Sequence, residues 1–270
     1  MTDTQPSLPA SRQRLAIVLN TAGDIVLIAD AENALGMTRT EAAKLLSRWA
    51  KQGWLRHVGT GAYVPVSLDT LASTHVLDDP WILVPALYAP AYIGGRTAAE
   101  HWDLTEQIFR DIVVMTAQPV REKTQQRHGA LFTLKHVSSE KIFGTRSVWR
   151  ARTKILVSDI HRTIIDMLDD PALGGGIQHV ADCLAVYLTL SERDDDKLLA
   201  YGDRLGNGAV FKRLGFLAER QDRNSPLIEP CRARLTKGHA KLDPALKTPR
   251  LITRWKLRIP QSWIETSAHD

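Results

Sequence analysis

Residues 38–66 read TRTEAAKLLSRWAKQGWLRHVGTGAYVPV, and this stretch decides the fold of the N-terminal part of the chain. Thr38 and Glu41 have the spacing of a capping box, in which each side chain bonds the other residue's backbone amide, so a helix is predicted to begin there. Gly53 ends that helix. Apolar residues then flank a glycine-containing turn, which is typical of a β-hairpin. They are Trp54, Leu55 and Val58 before the turn and Ala62, Tyr63 and Val64 after it.

The predicted helix has two different faces. Its apolar residues recur at spacings of three and four and are Ala42, Leu45, Leu46 and Trp49. The opposite face is small, polar and cationic, which suits a helix that lies in the major groove of DNA. We expect Thr40, Lys44 and Ser47 to face the groove. Phosphate contacts are expected from Arg39, Arg48 and Lys51, and the hairpin adds Arg56, His57 and Thr60 as further candidate DNA contacts. An ordinary surface helix followed by a hairpin is the alternative interpretation.

The upstream sequence favours the DNA-binding interpretation. Residues 14–19 form a helix-like apolar run, and residues 28–35 predict a second short helix that ends at Gly36. Three helices followed by a hairpin is the order of a winged helix-turn-helix, so residues 8–66 are predicted to form such a domain.

Length and composition indicate the number of domains, the class of partner and the cellular compartment. The 270 residues are enough for two domains, and the net charge of +5 favours an acidic partner. Cys183 and Cys231 are far apart in the sequence, and Cys183 lies in an apolar helical run. We therefore expect Cys183 to be a core thiol, with no disulfide and a reducing compartment. The sequence contains neither a signal-peptide pattern nor an apolar run long enough to span a bilayer. We therefore expect a cytoplasmic protein that does not bind membranes.

Residues 67–80 lose the strand pattern and gather aspartates, which predicts a boundary between domains. A second domain over residues 80–260 follows. Helices are predicted near residues 81–87 and 96–102, strands over 112–115, 131–137 and 147–157, and further helices over 160–168, 177–190, 197–205 and 210–220. The predicted fold class is α+β, with an N-terminal winged helix-turn-helix followed by a mixed α+β domain.

Several ordered segments of the second domain resemble one known family. They are YIGGRTAAEHWDLTEQ at residues 92–107, IFG at 142–144, VSD at 157–159, RTIID at 162–166, GGGI at 174–177, YGDRLGNGAV at 201–210 and KRLG at 212–215. Together with the predicted N-terminal domain, they are similar to the AbiE-type antitoxins, over a region that extends from the first helix to about residue 220.

The resemblance implies a transcriptional autorepressor that is also the antitoxin of a type IV toxin–antitoxin pair. Its implied partners are double-stranded DNA, as inverted repeats in its own promoter, and a nucleotidyltransferase-like toxin that is counteracted without a stable complex. The chain departs from the family in its hairpin, where relatives often place arginines and this chain has Gly59 and Thr60 after Arg56 and His57. Fewer cations in the hairpin would weaken its grip on phosphates.

A basic stretch at residues 121–154 contains nine cations and two carboxylates, a net charge of +7. The candidate second basic surface consists of Arg121, Lys123, Arg127, Lys135, Arg146, Arg150, Arg152 and Lys154, with Lys141 as the ninth cation. This surface would extend the DNA contact or bind the RNA or nucleotide on which such a toxin acts. The alternative is the solvated face of an antiparallel sheet.

The sequence offers only weak candidates for catalytic residues. His101 is predicted to be a packed or capping histidine, and the Gly206-Asn207-Gly208 turn lacks the lysine and the preceding strand of a phosphate loop. No metal-ligand spacing occurs, and no cofactor is expected. The alternative to a non-enzymatic antitoxin is a nucleic-acid-processing enzyme fused to a winged helix, with Asp159 and Asp166 as metal ligands. Asp159 and Asp166 flank Arg162 in the sequence, so a structural ion pair with that arginine is an equally good interpretation of these carboxylates.

Overall fold

The computed structural model describes residues 9–66 and 79–264. Residue 8 and residues 67–78, which include most of the predicted boundary segment, lie outside that part of the chain. The N-terminal unit consists of α1 (Ala10–Thr21), β1 (Val26–Leu27), α2 (Ile28–Leu35), α3 (Arg39–Lys51), β2 (Leu55–Gly59) and β3 (Ala62–Pro65). The strands form an antiparallel sheet in the order β1-β3-β2.

The start of α3 is the predicted capping box. The Thr38 amide donates to Glu41 Oε2 at 2.9 Å, and the Glu41 amide donates to Thr38 Oγ1 at 3.4 Å. Gly53 follows the helix with a φ of +77°, a left-handed conformation that favours glycine. The apolar face of α3 packs against the hairpin, because Leu46 and Trp49 share a hydrophobic cluster with Tyr63. These predictions are confirmed.

The second unit is built around a mixed six-stranded sheet in the order β6-β7-β5-β4-β9-β8. Its strands are β4 (Ala91–Ile93), β5 (Asp111–Thr116), β6 (Thr124–Arg127), β7 (Ala130–His136), β8 (Thr145–Arg150) and β9 (Thr153–Ser158). The β5–β7 and β4–β9 pairs are parallel, and the others are antiparallel. A turn around Ala151, where φ is +47°, divides the predicted strand region at residues 147–157 into β8 and β9.

Helices flank and follow this sheet. They are α4 (Leu83–Tyr88), α5 (Gly95–His101), α6 (Ile160–Asp169), α7 (Ile177–Thr189), α8 (Asp195–Leu205), α9 (Gly208–Gln221) and α10 (Ile228–Ala233). A small sheet of β10 (Ala240–Lys241), β11 (Arg250–Ile252) and β12 (Leu257–Ile259) packs against the helical layer through Leu257 and Trp255. The chain is an α+β protein, as the order of its predicted elements indicates. No helix within residues 9–66 and 79–264 combines the length and apolar character of a bilayer span.

The two units share a hydrophobic cluster. Val58, Ala62 and Val64 of the hairpin pack with Leu83 of α4 and Phe132 of β7. The turn between β8 and β9 adds polar contacts, because the Arg152 guanidinium donates to two carbonyl oxygens at the end of α1 at 3.0 and 2.9 Å. Both faces of the N-terminal sheet are therefore covered, one by its own helices and the other by the second unit.

Candidate functional site

The outward face of α3 is cationic. All six candidate DNA contacts on this helix are exposed, and they are Arg39, Thr40, Lys44, Ser47, Arg48 and Lys51. The one carboxylate of the helix belongs to Glu41, where hydrogen bonds from the Thr38 backbone amide and hydroxyl lower the pKa of that carboxyl. Because Glu41 is committed to the cap, the remaining charge on this face is positive.

A hairpin of β2, β3 and the turn between them lies at the end of the N-terminal unit. We call it the wing hairpin after the sequence prediction. Its candidate contacts Arg56, His57 and Thr60 are all exposed. The His57 ring packs edge-on against Tyr63, with 5.1 Å between the ring centroids. This packing positions the histidine on the outer side of the hairpin without burying it.

The basic stretch at residues 121–154 does not form one surface. Arg121, Lys123 and Arg127 lie on or just before β6, whereas Arg146 and Arg150 lie on β8 at the opposite edge of the sheet. The prediction of a single second basic surface is therefore wrong. Residues that are close in sequence are placed at both edges because β7, β5, β4 and β9 all lie between β6 and β8 in the strand order.

Several cations of the stretch have structural partners. Lys135 pairs with Asp169 at 2.7 Å and with Asp170 at 3.2 Å. Arg150 lies 3.5 Å from Asp79 and over the ring of Trp81, and Arg152 joins the two units. Lys154 on β9 is exposed and lies beside Thr153, whose hydroxyl donates to Asp24. These interactions indicate that part of the basic stretch stabilises the fold.

Several of the segments on which the family resemblance was based meet in space around Arg162 of α6. Tyr92 comes from β4, Phe143 and Gly144 from the loop before β8, and Tyr201 from α8. A Cβ added to Gly144, where φ is +64°, would lie 2.8 Å from the Tyr201 ring and 3.1 Å from Arg162 Cβ. Glycine is therefore required there by both conformation and space.

Arg162 is 1% exposed and belongs to a buried polar network. Its Nε donates to Asp166 Oδ1 at 2.8 Å, and its Nη2 donates to the Tyr92 hydroxyl oxygen at 2.9 Å. The Tyr92 hydroxyl donates in turn to Asp166 Oδ2 at 3.0 Å. The guanidinium also stacks on Phe143 at 4.0 Å, and Nη1 has no hydrogen-bond partner among the described residues. Burial raises the pKa of Asp166, and it also raises the pKa of Tyr92.

Asp159 forms a separate arrangement at the start of α6. Its Oδ1 accepts the Arg162 amide at 2.9 Å and thereby caps the helix. Its Oδ2 accepts from the Tyr201 hydroxyl at 2.9 Å and lies 3.0 Å from Lys197 Nζ. Asp159 and Asp166 therefore have different side-chain donors, Tyr201 and Lys197 for the first and Arg162 and Tyr92 for the second, and each carboxylate already has cationic and hydroxyl donors. This geometry is that of structural ion pairs.

The other candidate groups also have structural roles. His101 packs between the rings of Trp81 and Trp102, and burial lowers its pKa. Cys183 and Cys231 are buried and unpaired, and burial raises the pKa of each thiol to about 12. Within the described ranges, no group of three or more His, Cys, Asp or Glu side chains is arranged to hold a metal ion.

Sequence reasoning missed two features. The first is β6, whose polar sequence TQQR places Gln125 to Arg127 beside the wing hairpin. The second is the link between Tyr92 and Arg162, which are 70 residues apart in the chain. The signal in the sequence for the second feature was that both residues lie in segments on which the predicted family resemblance was based.

The fold has a solved counterpart. The crystal structure of the RV2827C protein from Mycobacterium tuberculosis is similar to this chain with a TM-score of 0.58 at 13% sequence identity. The similarity covers 94% of this chain and 93% of that chain, so it includes both units. At this level of identity the likeness shows the fold alone. No protein-family model matches the sequence. No curated protein matches it either.

Proposed function

We propose that this chain is a DNA-binding autorepressor in which α3 enters the major groove of double-stranded DNA. The observation that carries the proposal is the exposed face of α3, which holds four cations and whose single carboxylate is committed to the helix cap. The order of helices and strands in residues 9–66 supports it, because three helices followed by a hairpin is the arrangement of winged helix-turn-helix modules. Such a protein acts in the cytoplasm.

Replacing Lys44 with alanine tests this placement of α3. Lys44 is exposed and lies in the middle of the cationic face, so its loss is expected to weaken binding to the promoter by about 1 to 3 kcal/mol if it reads a base edge. The measurement is a gel-shift titration with the DNA fragment directly upstream of the coding sequence and with a duplex of mixed sequence. The loss should be larger on the upstream fragment.

The matched control is Lys237→Ala, which removes an exposed lysine of the second unit that follows α10. This variant should bind both duplexes as the parent chain does. Parent-like binding of the upstream fragment by Lys44→Ala would mean that α3 does not lie in the groove.

We also propose that the second unit is the antitoxin part of the chain and counteracts a nucleotidyltransferase-like toxin without a stable complex. The resemblance of its segments to the AbiE-type antitoxins supports this proposal, as does the meeting of several of those segments around Arg162. The competing hypothesis of an enzymatic second unit gains no support from the two carboxylates it would need. Asp159 and Asp166 bond to different sets of side-chain donors, each of which includes a cation and a hydroxyl.

Co-expression with the product of the neighbouring gene tests the antitoxin proposal. We expect the full chain, expressed from an inducible promoter, to restore growth of cells that express a toxic nucleotidyltransferase. Lys44→Ala should restore growth equally well while failing to repress a reporter driven by the upstream fragment, because α3 lies outside the second unit. Failure of the folded parent chain to restore growth would refute the antitoxin role and leave the DNA-binding proposal standing.

A further inference from the structure

A groove of about 760 Å³ separates the wing hairpin from the β6 edge of the large sheet. Residues 57–60 of the hairpin form one wall, and residues 125–128 form the opposite wall. The groove therefore lies between the N-terminal unit and the second unit, directly beside hairpin residues that we propose to contact DNA.

The two walls are held at a fixed spacing by direct interactions. The His128 ring nitrogen Nε2 donates to the Val58 carbonyl oxygen at 2.8 Å. Gly59 lies so close to α4 that an added Cβ would be 2.3 Å from Leu87 Cδ2. A ligand that enters the groove beside the hairpin therefore also meets the β6 wall.

The chemistry of the groove favours an anion. Among the described residues, none that lines it is acidic, and its polar lining includes Thr60, Gln126 and Arg127. The cavity beside Arg162 is different, because its lining includes Asp166 and Asp169. Amide, hydroxyl and guanidinium groups without a competing carboxylate are typical partners of the sugar–phosphate backbone.

Arg127 lines the groove, and Arg121 and Lys123 follow the lining residue Val120 in the chain. We call Arg121, Lys123 and Arg127 the β6 cations. All three are exposed, and none of them forms an ion pair with another described residue. Arg127 lies 3.4 Å from the Gln125 side-chain oxygen, and Glu122 is the one carboxylate between the first and the last of these cations. The β6 cations thus differ from Lys135 and Arg150, whose charges are matched by aspartates.

We propose that the groove and the β6 cations bind the sugar–phosphate backbone of double-stranded DNA next to the site occupied by α3. This inference rests on the proposed DNA-binding function and assigns a share of it to the second unit. The β8 cations take no part in the groove, because β8 lies at the opposite edge of the sheet from β6. The full chain should accordingly protect a longer stretch of DNA than α3 and the hairpin would protect alone.

The test is a salt titration of the full-length double variant Lys123→Gln, Arg127→Gln on the labelled upstream fragment. Each phosphate that the protein no longer neutralises should flatten the plot of log affinity against log salt by about 0.9, so the double variant should flatten it by about 1.8. The matched control is Arg146→Gln, which removes an exposed arginine on β8 and should leave the slope unchanged. Hydroxyl-radical footprinting should show that the double variant no longer protects sugars flanking the centre of the site.

The outcomes separate this inference from the proposed function. A parent chain that binds the fragment, together with a double variant of unchanged slope and footprint, overturns the inference alone. A parent chain that binds no duplex overturns both. A double variant that keeps its DNA slope but loses affinity for transfer RNA would assign the groove to RNA and would also overturn the inference. Thermal melting of each variant confirms that these exposed substitutions leave the fold intact.

Discussion

Arg162→Met is expected to lower the free energy of unfolding by about 3 to 5 kcal/mol. The side chain is 1% exposed and pairs with Asp166, which is itself 4% exposed. Removing the guanidinium leaves the Asp166 carboxylate buried with only the Tyr92 hydroxyl as a donor, so the desolvation of that charge is no longer offset. Urea denaturation followed by circular dichroism measures the change.

Arg204→Met is the matched control for this variant. The Arg204 guanidinium also lies over the Phe143 ring, at the same 4.0 Å distance as Arg162, but Arg204 is exposed. We expect the free energy of unfolding to fall by less than about 1 kcal/mol, because surface substitutions that leave no buried charge have small effects. Equal losses of stability in the two variants would mean that stacking on Phe143 matters, and that the ion pair does not.

The double variant Arg162→Met, Asp166→Leu adds a second check. Replacing both members of a buried ion pair with apolar residues is often close to neutral, so the double variant should recover part of the stability that Arg162→Met removes. A double variant less stable than Arg162→Met would show that Asp166 contributes through Tyr92 independently of the arginine.

The faces of the helices could be predicted from the sequence because a helical repeat of 3.6 residues fixes which side chains point together. In α3 this period separates Leu46 and Trp49 from Lys44 and Ser47, and the structure buries the first pair and exposes the second. The same reasoning could not predict β6. Its residues are all polar and lie at a sheet edge, so they carry no alternation that would indicate a strand.

The packing of the two units on each other could be inferred only in retrospect. Leu55 and Tyr63 belong to the cluster formed with the N-terminal helices, whereas Val58, Ala62 and Val64 belong to the cluster of the second unit. A hairpin that is apolar on both faces is typical of a sheet covered on both sides. The sequence contains this signal, but it does not identify the second covering layer.

The positions of the cations of the basic stretch depend on the order of the strands in the sheet, which the local sequence does not encode. Residues 121–154 carry their cations in one continuous segment, yet the order of the strands places β6 and β8 at opposite edges. A net charge counted along the chain therefore overestimates the charge of any one surface. Of the cations in this stretch, the β6 cations lie at the sheet edge beside the wing hairpin, and they form no ion pairs with other described residues.

Trp49→Ala is expected to abolish DNA binding by unfolding the N-terminal unit. Trp49 is 1% exposed and packs with Leu46 and Tyr63, in a cluster separate from the one shared with the second unit. Truncation of a buried tryptophan costs on the order of 3 to 5 kcal/mol, and a small unit has little more stability than that to lose. Gel shifts and thermal melting should show loss of the complex together with an earlier melting transition.

Trp149→Ala provides the control, because the Trp149 side chain on β8 is 64% exposed. Its removal should change stability by no more than about 0.5 kcal/mol and leave the gel shift intact. The pair of variants separates two causes of impaired binding. If Trp49→Ala melted as the parent does and still failed to bind, the ring would act at the DNA surface, and the assignment of opposite faces of α3 to core and groove would be reversed.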